Sequence, residues 1–393
     1  MPRAPLDKLS AIVGAPHVLT GVECSPFVVE GRTPETVVLP GTREEVSGVL
    51  SIAAEAGVSV TPWGGGTKIG MGSPPAGAGL VLALRRMDRV VEHEPGDMTA
   101  TVQAGMRLAA FQAELGRRGQ WLSLDPPHGD RATIGGILAT GAAGPRRHLY
   151  GTARDLLIGL TLVLADGTLV RGGGKVVKNV AGYDLPKLAI GSFGTLGVIA
   201  DATFKLRPRP DADRLVLFAF DRLKDAGLGA RAVIGSDAIP SAVDLVDRES
   251  LGGLGAEGLT VPHEGAALIV GLDGTREQVD WQCAELPRLL GGLGVTAARV
   301  LDGEARDRAW RALAGLARGA FSAAAAGMKL GVLPTQVAEM MEQGAAIAQR
   351  SGLRSAFAAH AGAGIVSAAL GGDGAEASAV VSVLGEWRAM AAG

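Results

Sequence analysis

Three consecutive glycines give this sequence its first candidate binding site. They are Gly64, Gly65 and Gly66, in a stretch at 62–70 that reads PWGGGTKIG directly after a predicted strand. Glycine has no Cβ and tolerates positive φ, so successive backbone N–H groups of such a loop can converge on an anion such as a pyrophosphate. The stretch matches neither the Walker loop nor the Gly-x-Gly-x-x-Gly pattern. Taken alone, this loop is explained equally well as a flexible turn.

Two further segments are also poor in large side chains. In the stretch 125–141, Thr133 precedes Gly135 and Gly136, and the flanking residues are small or apolar. This pattern suits either a buried flat ring system or a small-residue helix that packs on a neighbour. The third segment, 172–199, is punctuated by four glycines between 182 and 197 and leads into a predicted strand. Long and densely specified loops are usually functional.

Taken together, the three segments resemble a known FAD-binding domain. Their order and separation are similar to the FAD-binding domain of the vanillyl-alcohol-oxidase (PCMH) type, over residues 35–208. The sequences KVVKNVAGYDL at 175–185 and GSFGTLGVI at 191–199 are similar to those of the glycolate oxidase group. Within that group, the chain length and the C-terminal half look most like the E subunit, the smaller FAD-binding subunit. The resemblance implies an α+β fold, in which a PCMH-type domain of two α/β subdomains encloses FAD and a C-terminal α+β domain has an antiparallel sheet.

The resemblance also implies which residues contact the cofactor. The glycine loop would hold the FAD pyrophosphate, while the segment after Thr133 and the strand from Gly197 would line the rest of the site. A branched side chain at Gly65 or Gly66 is then expected to block the pyrophosphate path. Because no His or Cys is placed for a covalent link, FAD is expected to bind non-covalently. The predicted cofactor-binding residues are Pro62, Trp63, Gly64, Gly65, Gly66, Thr67, Lys68, Thr133, Ile134, Gly135, Gly136, Gly141, Tyr183, Gly197, Val198 and Ile199.

Oxidation of a 2-hydroxy acid by a flavin needs a base for the hydroxyl and a cation for the carboxylate. In the larger D subunit of the family, a His-x-Gly-Asp-Gly-Asn-x-His-like motif helps to form that site. The matching stretch here is HAGAGIV at 360–366, which keeps His360 and two glycines but lacks the acidic residue, the Asn and the second His. His360 is the candidate base and Lys329 the candidate carboxylate anchor. Their alternative roles are a hydrogen-bonded residue at a strand end and an edge-strand residue. No metal site is expected.

The elements that must position these residues alternate between strand and helix. A predicted capping box of Thr42 and Glu45 starts a helix between two short strands, and the second strand leads into the glycine loop. The run Arg-Pro-Arg-Pro at 207–210 marks a domain boundary. Beyond it, the pattern predicts a helix-covered antiparallel sheet. The predicted domains are an N-terminal extension at 1–34, the FAD-binding domain at 35–208, and a domain for substrate, cap or subunit contact at 209–393.

Composition narrows the class of protein. Of the 393 residues, 47% are apolar and 20% are charged, which is typical of a globular protein. The net charge of −2 and the absence of a long basic run argue against nucleic-acid binding. No signal peptide or membrane span is predicted. We therefore expect a cytoplasmic protein that reaches the inner face of a membrane only through partners.

A reduced flavin needs an electron acceptor, and two distant cysteines, Cys24 and Cys283, cannot hold an iron–sulfur relay. The resemblance implies assembly with a catalytic, FAD-binding D-type subunit and an iron–sulfur F-type subunit. Two functional hypotheses follow. The chain either takes part in oxidising glycolate, or D-lactate, to the 2-oxo acid, or it is a non-catalytic FAD-binding and assembly subunit. The incomplete motif at His360 favours the second, and the intact cofactor segments favour the first. A sugar-lactone oxidase fits the fold but not the sequence KNVAGYD.

Overall fold

The chain folds into two compact units. The computed structural model describes residues 4–72, 75, 77, 79–175, 183–256, 265–319, 324–372 and 374–392. The first unit comprises Met1–Ala143 and Gly151–Arg209, and the second comprises Gly144–Tyr150 and Pro210–Gly393. Among the described residues, no helix has both the length and the hydropathy that a membrane span requires.

Helices and strands occur throughout both units. The helices are α1 (Leu6–Val13), α2 (Arg43–Glu55), α3 (Leu108–Gly116), α4 (Ile134–Thr140), α5 (Arg147–Tyr150), α6 (Ala153–Leu156), α7 (Leu185–Ala189), α8 (Leu223–Ile234), α9 (Arg248–Ala256), α10 (Arg276–Leu289), α11 (Gly303–Gly319), α12 (Val337–Arg350) and α13 (Ala377–Ala392). The strands are β1 (Val18–Thr20), β2 (Thr36–Val38), β3 (Val60–Trp63), β4 (Leu80–Ala83), β5 (Val90–Glu94), β6 (Thr99–Gln103), β7 (Gln120–Trp121), β8 (Leu157–Val163), β9 (Leu169–Gly173), β10 (Val198–Lys205), β11 (Arg207–Pro208), β12 (Ala212–Phe220), β13 (Ala242–Val246), β14 (Ala266–Gly274), β15 (Val295–Leu301), β16 (Ala324–Gly331), β17 (Arg354–His360) and β18 (Ile365–Gly371).

A four-stranded sheet in the first unit leads the chain into the glycine loop. Its order is β1-β2-β4-β3, in which β2, β4 and β3 run parallel and β1 pairs antiparallel with β2. Helix α2 follows its cap residue Thr42, whose Oγ1 accepts from the N–H of Glu45 at 3.1 Å. The carboxylate of Glu45 accepts from the N–H of Gly41 at 2.7 Å, one residue earlier than the capping box predicts. Strand β3 then ends at Trp63, immediately before the three glycines.

The larger sheet of the first unit is antiparallel and has the order β5-β6-β10-β8-β9. One apolar core contains buried residues of both sheets and of helix α3, including Leu82, Val102, Phe111 and Phe204. Burial of such side chains stabilises a fold by roughly 1.5–3 kcal/mol each relative to their exposure to water. This core fixes the ends of β3 and β10, where the candidate cofactor segments begin.

The second unit is built on a seven-stranded antiparallel sheet with the order β15-β12-β14-β13-β17-β18-β16. One face packs against α8, α10, α12 and α13, around the buried rings of Phe357 and Trp387. The other face packs against α9 and α11. Because side chains alternate along a strand, Asp244 lies on this second face, between Ala242 and Val246.

The α+β class and the antiparallel sheet of the C-terminal domain are confirmed, but the units differ from the predicted domains in two places. Residues 1–34 are not a separate extension, because Val18–Thr20 pairs with Thr36–Val38, and Leu9 and Val13 lie in the core of the first unit. Residues 144–150 pack in the second unit although the sequence assigns them to the FAD-binding domain. An ion pair between Arg146 and Asp213 holds them there.

Candidate functional site

A cavity of about 590 Å³ lies within the first unit. Its walls come from the end of β3 and the glycine loop, from helix α4, and from the segment that enters β10. The volume is in the range of pockets that bind small molecules and cofactors. The three segments that the sequence singles out are therefore brought together around one space.

Most of the predicted cofactor-binding residues line this cavity. Eight of the 26 described lining residues are glycine, and Lys68 is the one charged residue among those 26. The predicted residues in the lining are Pro62, Trp63, Gly64, Gly65, Gly66, Thr67, Lys68, Thr133, Gly135, Gly136, Gly197, Val198 and Ile199.

Three predicted residues lie outside the lining. Ile134 is buried in the apolar core of the first unit, in the first turn of α4. Gly141 ends α4 in the left-handed conformation, with φ +58°. Tyr183 is 94% exposed, next to positions 176–182, which lie outside the described residues. Helix packing and helix termination therefore account for the first two positions, and most of the KNVAGYD sequence stays a prediction.

Close packing against Arg131 and Thr133 explains two of the loop glycines. A Cβ at Gly65 would overlap the carbonyl oxygen of Arg131, and a Cβ at Gly64 would overlap Oγ1 of Thr133. At Gly66, which has φ +68°, a Cβ would lie 2.8 Å from the indole ring of Trp63. These contacts change the physical reason for the expected effect of a branched side chain at Gly65, because its Cβ would meet the chain itself and not the pyrophosphate path. A substitution at Gly65 would instead push the loop away from the segment before α4.

Helix α4 starts at the cavity and is capped there. Oγ1 of Thr133 accepts from the N–H of Gly136 at 3.3 Å, which is an N-cap interaction. The N–H of Gly135 donates to the carbonyl oxygen of Ala104 at 2.7 Å, and a Cβ at Gly135 would lie 2.8 Å from the Ala104 methyl carbon. Gly135 thus allows α4 to approach the end of β6 closely, whereas Gly136 faces the cavity with more space.

The site residues predicted from the sequence omit the turn before β10. Phe193, Gly194 and Thr195 line the cavity together with Ala139 and Thr140 of α4. Phe193 has φ +54°, a left-handed backbone that bulky residues rarely adopt, and its side chain is 48% exposed. The motif GSFGTLGVI contains these residues, so its glycines at 191 and 194 were the signal that could have found them.

The strain at Phe193 predicts an unusual order of stability between two variants. Both Phe193→Gly and Phe193→Ala remove the ring, but only glycine adopts φ +54° without strain. Without FAD, Phe193→Gly is expected to be more stable than Phe193→Ala by about 1 kcal/mol. Both should weaken FAD binding by about tenfold, because each loses the apolar contact of a half-exposed ring. Denaturant unfolding and FAD titration measure the two effects. Equal or greater stability of the alanine variant would contradict the strain argument.

In the second unit, His360 is paired with a buried carboxylate. Its Nδ1 lies 3.0 Å from Oδ1 of Asp244, and the exposed fractions of the two side chains are 16% and 2%. The two residues face each other across the pairing of β13 and β17. An ionised carboxylate only accepts hydrogen bonds, so Nδ1 of the ring carries the proton and Nε2 keeps a lone pair. The pair has the chemistry of an oriented general base.

Asp244 is a residue that the sequence reasoning missed. Its Oδ2 is buried and has no hydrogen-bond partner among the described residues. Burial of an incompletely paired carboxylate destabilises a fold, so a carboxylate at this position favours a role beyond packing. An Asp in the centre of the apolar strand AVDLV was the sequence signal for it.

Lys329 lies on the same face of the sheet as His360, but on the edge strand β16. It is exposed and stands opposite Ser367 in the pairing of β16 with β18. Two strand spacings of about 4.8 Å and two residues of about 3.4 Å separate the Cα atoms of Lys329 and His360 by about 12 Å. A long lysine side chain can span much of that distance. Among the described residues, no three His, Cys, Asp or Glu side chains gather in a way that could hold a metal ion.

Comparison with known proteins identifies the family. Residues 34–173 match the family model of a FAD-binding domain, and residues 209–392 match the C-terminal domain of FAD-linked oxidases. The D-lactate dehydrogenase of Archaeoglobus fulgidus is 30% identical over 368 residues, which is 92% of this chain and 82% of that protein. The structure of p-cresol methylhydroxylase with substrate bound superposes with a TM-score of 0.76 at 18% identity, covering 97% of this chain and 85% of that chain, and shows that the fold is shared.

Two glycolate oxidase subunits are also similar over part of their length. Subunit GlcD of Bacillus subtilis is 35% identical over 218 residues, and the match covers 56% of this chain and 46% of GlcD. Subunit GlcE of Escherichia coli is 41% identical over 150 residues, which is 38% of this chain and 42% of GlcE. The chain thus spans less than half the length of either subunit. Because both match, these relatives support the family without singling out the E type.

The chain belongs to the FAD-linked oxidases and contains a PCMH-type FAD-binding domain. Within that family it is an oxidoreductase, and its cofactor is FAD. The cavity fits this cofactor. Its described lining contains no acidic residue, which suits a negatively charged pyrophosphate, and apolar side chains such as Trp63, Val198 and Ile199 suit a flat ring system.

Proposed function

We propose that this chain takes part in oxidising a small 2-hydroxy acid, glycolate or D-lactate, to the 2-oxo acid. The observation that carries the proposal is the contact between Asp244 and His360, because it provides an oriented base in a motif that lacks its second His. The names of relatives support the same substrate class, since two are glycolate oxidase subunits and one is a D-lactate dehydrogenase.

FAD, when bound, accepts two electrons as a hydride equivalent from the substrate carbon. The residues of the chain supply the proton transfer and the binding. Nε2 of His360 takes the proton of the substrate hydroxyl, while Asp244 holds the ring in the required tautomer and stabilises the imidazolium. Lys329 offers an ammonium group to the substrate carboxylate.

The proposal includes partner subunits, because the reduced cofactor must pass on its electrons. The described residues include two cysteines, Cys24, which is buried, and Cys283, and two thiolates are too few for the four cysteine ligands of a typical iron–sulfur cluster. An iron–sulfur F-type subunit would accept the electrons, and a D-type subunit would complete the assembly around this E-type chain. We also propose that FAD is bound non-covalently, since the described lining of the cavity contains no His or Cys.

Anaerobic mixing of the FAD-loaded chain with glycolate and with D-lactate tests the proposal. We expect the flavin absorbance to bleach with at least one of the two acids. Bleaching that requires the D-type partner would favour the alternative, in which this chain is a non-catalytic FAD-binding and assembly subunit. No bleaching by 2-hydroxy acids, with or without the partner, would contradict the substrate class.

A further inference from the structure

His148 lies beside the turn Ala361–Ala363, which directly follows the candidate base His360, although it is far from that turn in sequence. It belongs to the segment 144–150, which packs in the second unit. Charged and polar contacts fix the segment there: Arg146 pairs with Asp213 and lies 3.7 Å from Asp273, and the hydroxyl of Tyr150 donates to Asp273. Burial raises the pKa of Asp273, and the hydrogen bond from Tyr150 and the charge of Arg146 oppose that rise. The position of His148 is therefore set by anchors on both sides.

The imidazole of His148 occupies the space where a side chain at Gly362 would be. A Cβ at Gly362 would overlap Nδ1 of His148 and lie 3.0 Å from Cγ of the ring. Gly362 follows His360 by two residues, so the two Cα atoms are at most about 7 Å apart. The His148 ring thus lies within reach of a small molecule that contacts His360.

The rings of His360 and His148 differ in their hydrogen bonding. Nδ1 of His360 contacts Asp244, whereas the ring of His148, which is partly exposed, makes no hydrogen bond to the described residues. Arg146 and Tyr150, on either side of His148 in the chain, are held in the buried contacts given above. His148 is consequently a polar group of this segment that is available to a ligand.

We propose that His148 donates a hydrogen bond to the carboxylate of the substrate and replaces, from another part of the chain, the second His that the motif at 360–366 lacks. This inference rests on the proposed function and adds His148 to Lys329 as a second residue that binds the substrate carboxylate. His360 takes the proton of the hydroxyl, and His148 binds the carboxylate at the neighbouring carbon. A 2-hydroxy acid of two or three carbons has these two groups on adjacent atoms, so one small ligand can meet both rings.

Oxalate binding tests the assignment without any turnover. Oxalate is a small carboxylate that cannot donate a hydride, and its dissociation constant for the FAD-loaded chain is measured by isothermal titration calorimetry. His148→Leu should raise that constant by about 10- to 100-fold, as expected for the loss of a hydrogen bond to a charged group. His148→Gln keeps an N–H donor and should recover part of the affinity. Gly362→Ala keeps the His148 side chain, but the added methyl group displaces its ring, so this substitution should also weaken oxalate binding.

Kinetics separate this proposal from the proposed function. With glycolate or D-lactate, His148→Leu should raise KM by a similar factor and leave kcat nearly unchanged, and His17→Leu in the first unit is the matched control. Wild-type oxalate affinity and KM in His148→Leu would overturn the role of His148 while the proposed function stands. Failure of the wild-type chain to bind oxalate would overturn it too. A wild-type chain that binds oxalate through His148, but whose flavin is not reduced by any 2-hydroxy acid, would instead refute the proposed function.

Discussion

Replacement of Gly136 by valine is expected to abolish most FAD binding and to leave the fold intact. Gly136 is in the first turn of α4 and lines the cavity, and a Cβ added at this position would meet only Oγ1 of Thr133, at 3.2 Å, among the described atoms outside its own helix. The branched side chain would therefore extend into the space of the cofactor. Valine is at least as compatible with a helix as glycine, so little loss of stability is expected from the backbone. The FAD dissociation constant should rise by about 100-fold, at the upper end of overpacking effects.

The measurement is flavin absorbance per polypeptide, together with the unfolding midpoint of the FAD-free chain. Gly385→Val is the matched control, because Gly385 is also within a helix and a Cβ there would meet no described atom outside that helix within 4 Å. It should retain wild-type FAD content. Gly136→Ala adds a single methyl group and should weaken binding to a smaller extent with the same stability. Stoichiometric FAD with unchanged affinity in Gly136→Val would show that the cofactor lies elsewhere.

The cofactor segments were predictable because their information is local. Glycines concentrated after a strand indicate close backbone approach whatever the rest of the fold does. The structure shows that the concentrated glycines have two roles, to line the cavity and to allow close packing or termination within the chain. Gly136 and Gly194 line the cavity, Gly65 lines it and also packs against a backbone carbonyl, and Gly141 ends a helix. Sequence density alone cannot separate contact with a ligand from contact with the chain, because both require the absence of a Cβ.

Elements with conflicting local signals were not predicted. Helix α8 contains Gly227 and Gly229, which lower its helix propensity. A Cβ at Gly227 would lie 2.5 Å from the methyl of Ala338, so α8 needs this glycine to pack on α12. Strand β15 reads VTAARVL, with Ala and Arg in place of the usual β-branched residues, and it is an edge strand with mostly exposed side chains. In both cases tertiary packing overrides the local preference.

The candidate catalytic site could not be assembled from the sequence because its parts are far apart in the chain. Asp244 and His360 are separated by 116 positions, and only the pairing of β13 with β17 brings them opposite each other. His148 reaches the same turn because 144–150 packs in the second unit. The incomplete motif around His360 therefore does not describe the whole site, because the residues that accompany that histidine come from other segments.

Loss of His360 is expected to give the largest effect on activity. His360→Gln removes the base that takes the hydroxyl proton, so the rate of flavin reduction by the 2-hydroxy acid should fall by about 10³-fold. FAD content should not change, because His360 is not among the described residues that line the cofactor cavity. Stopped-flow absorbance under anaerobic conditions measures the rate. A reduction rate within about threefold of wild type, or roughly half an order of magnitude, would rule out His360 as the base.

Asp244→Asn tests whether the buried carboxylate acts through the histidine. An amide N–H directed at Nδ1 would favour the opposite tautomer, in which Nε2 carries the proton and cannot act as a base, so the rate should fall by about 10²-fold or more. If Asp244 only positions and polarises His360, the substitution should add little further loss to His360→Gln, because residues that act as one unit are not additive. A purely structural role would give additive losses instead. Asp280→Asn, which removes an exposed partner of Arg214 in the same unit, is the control and should leave the rate unchanged.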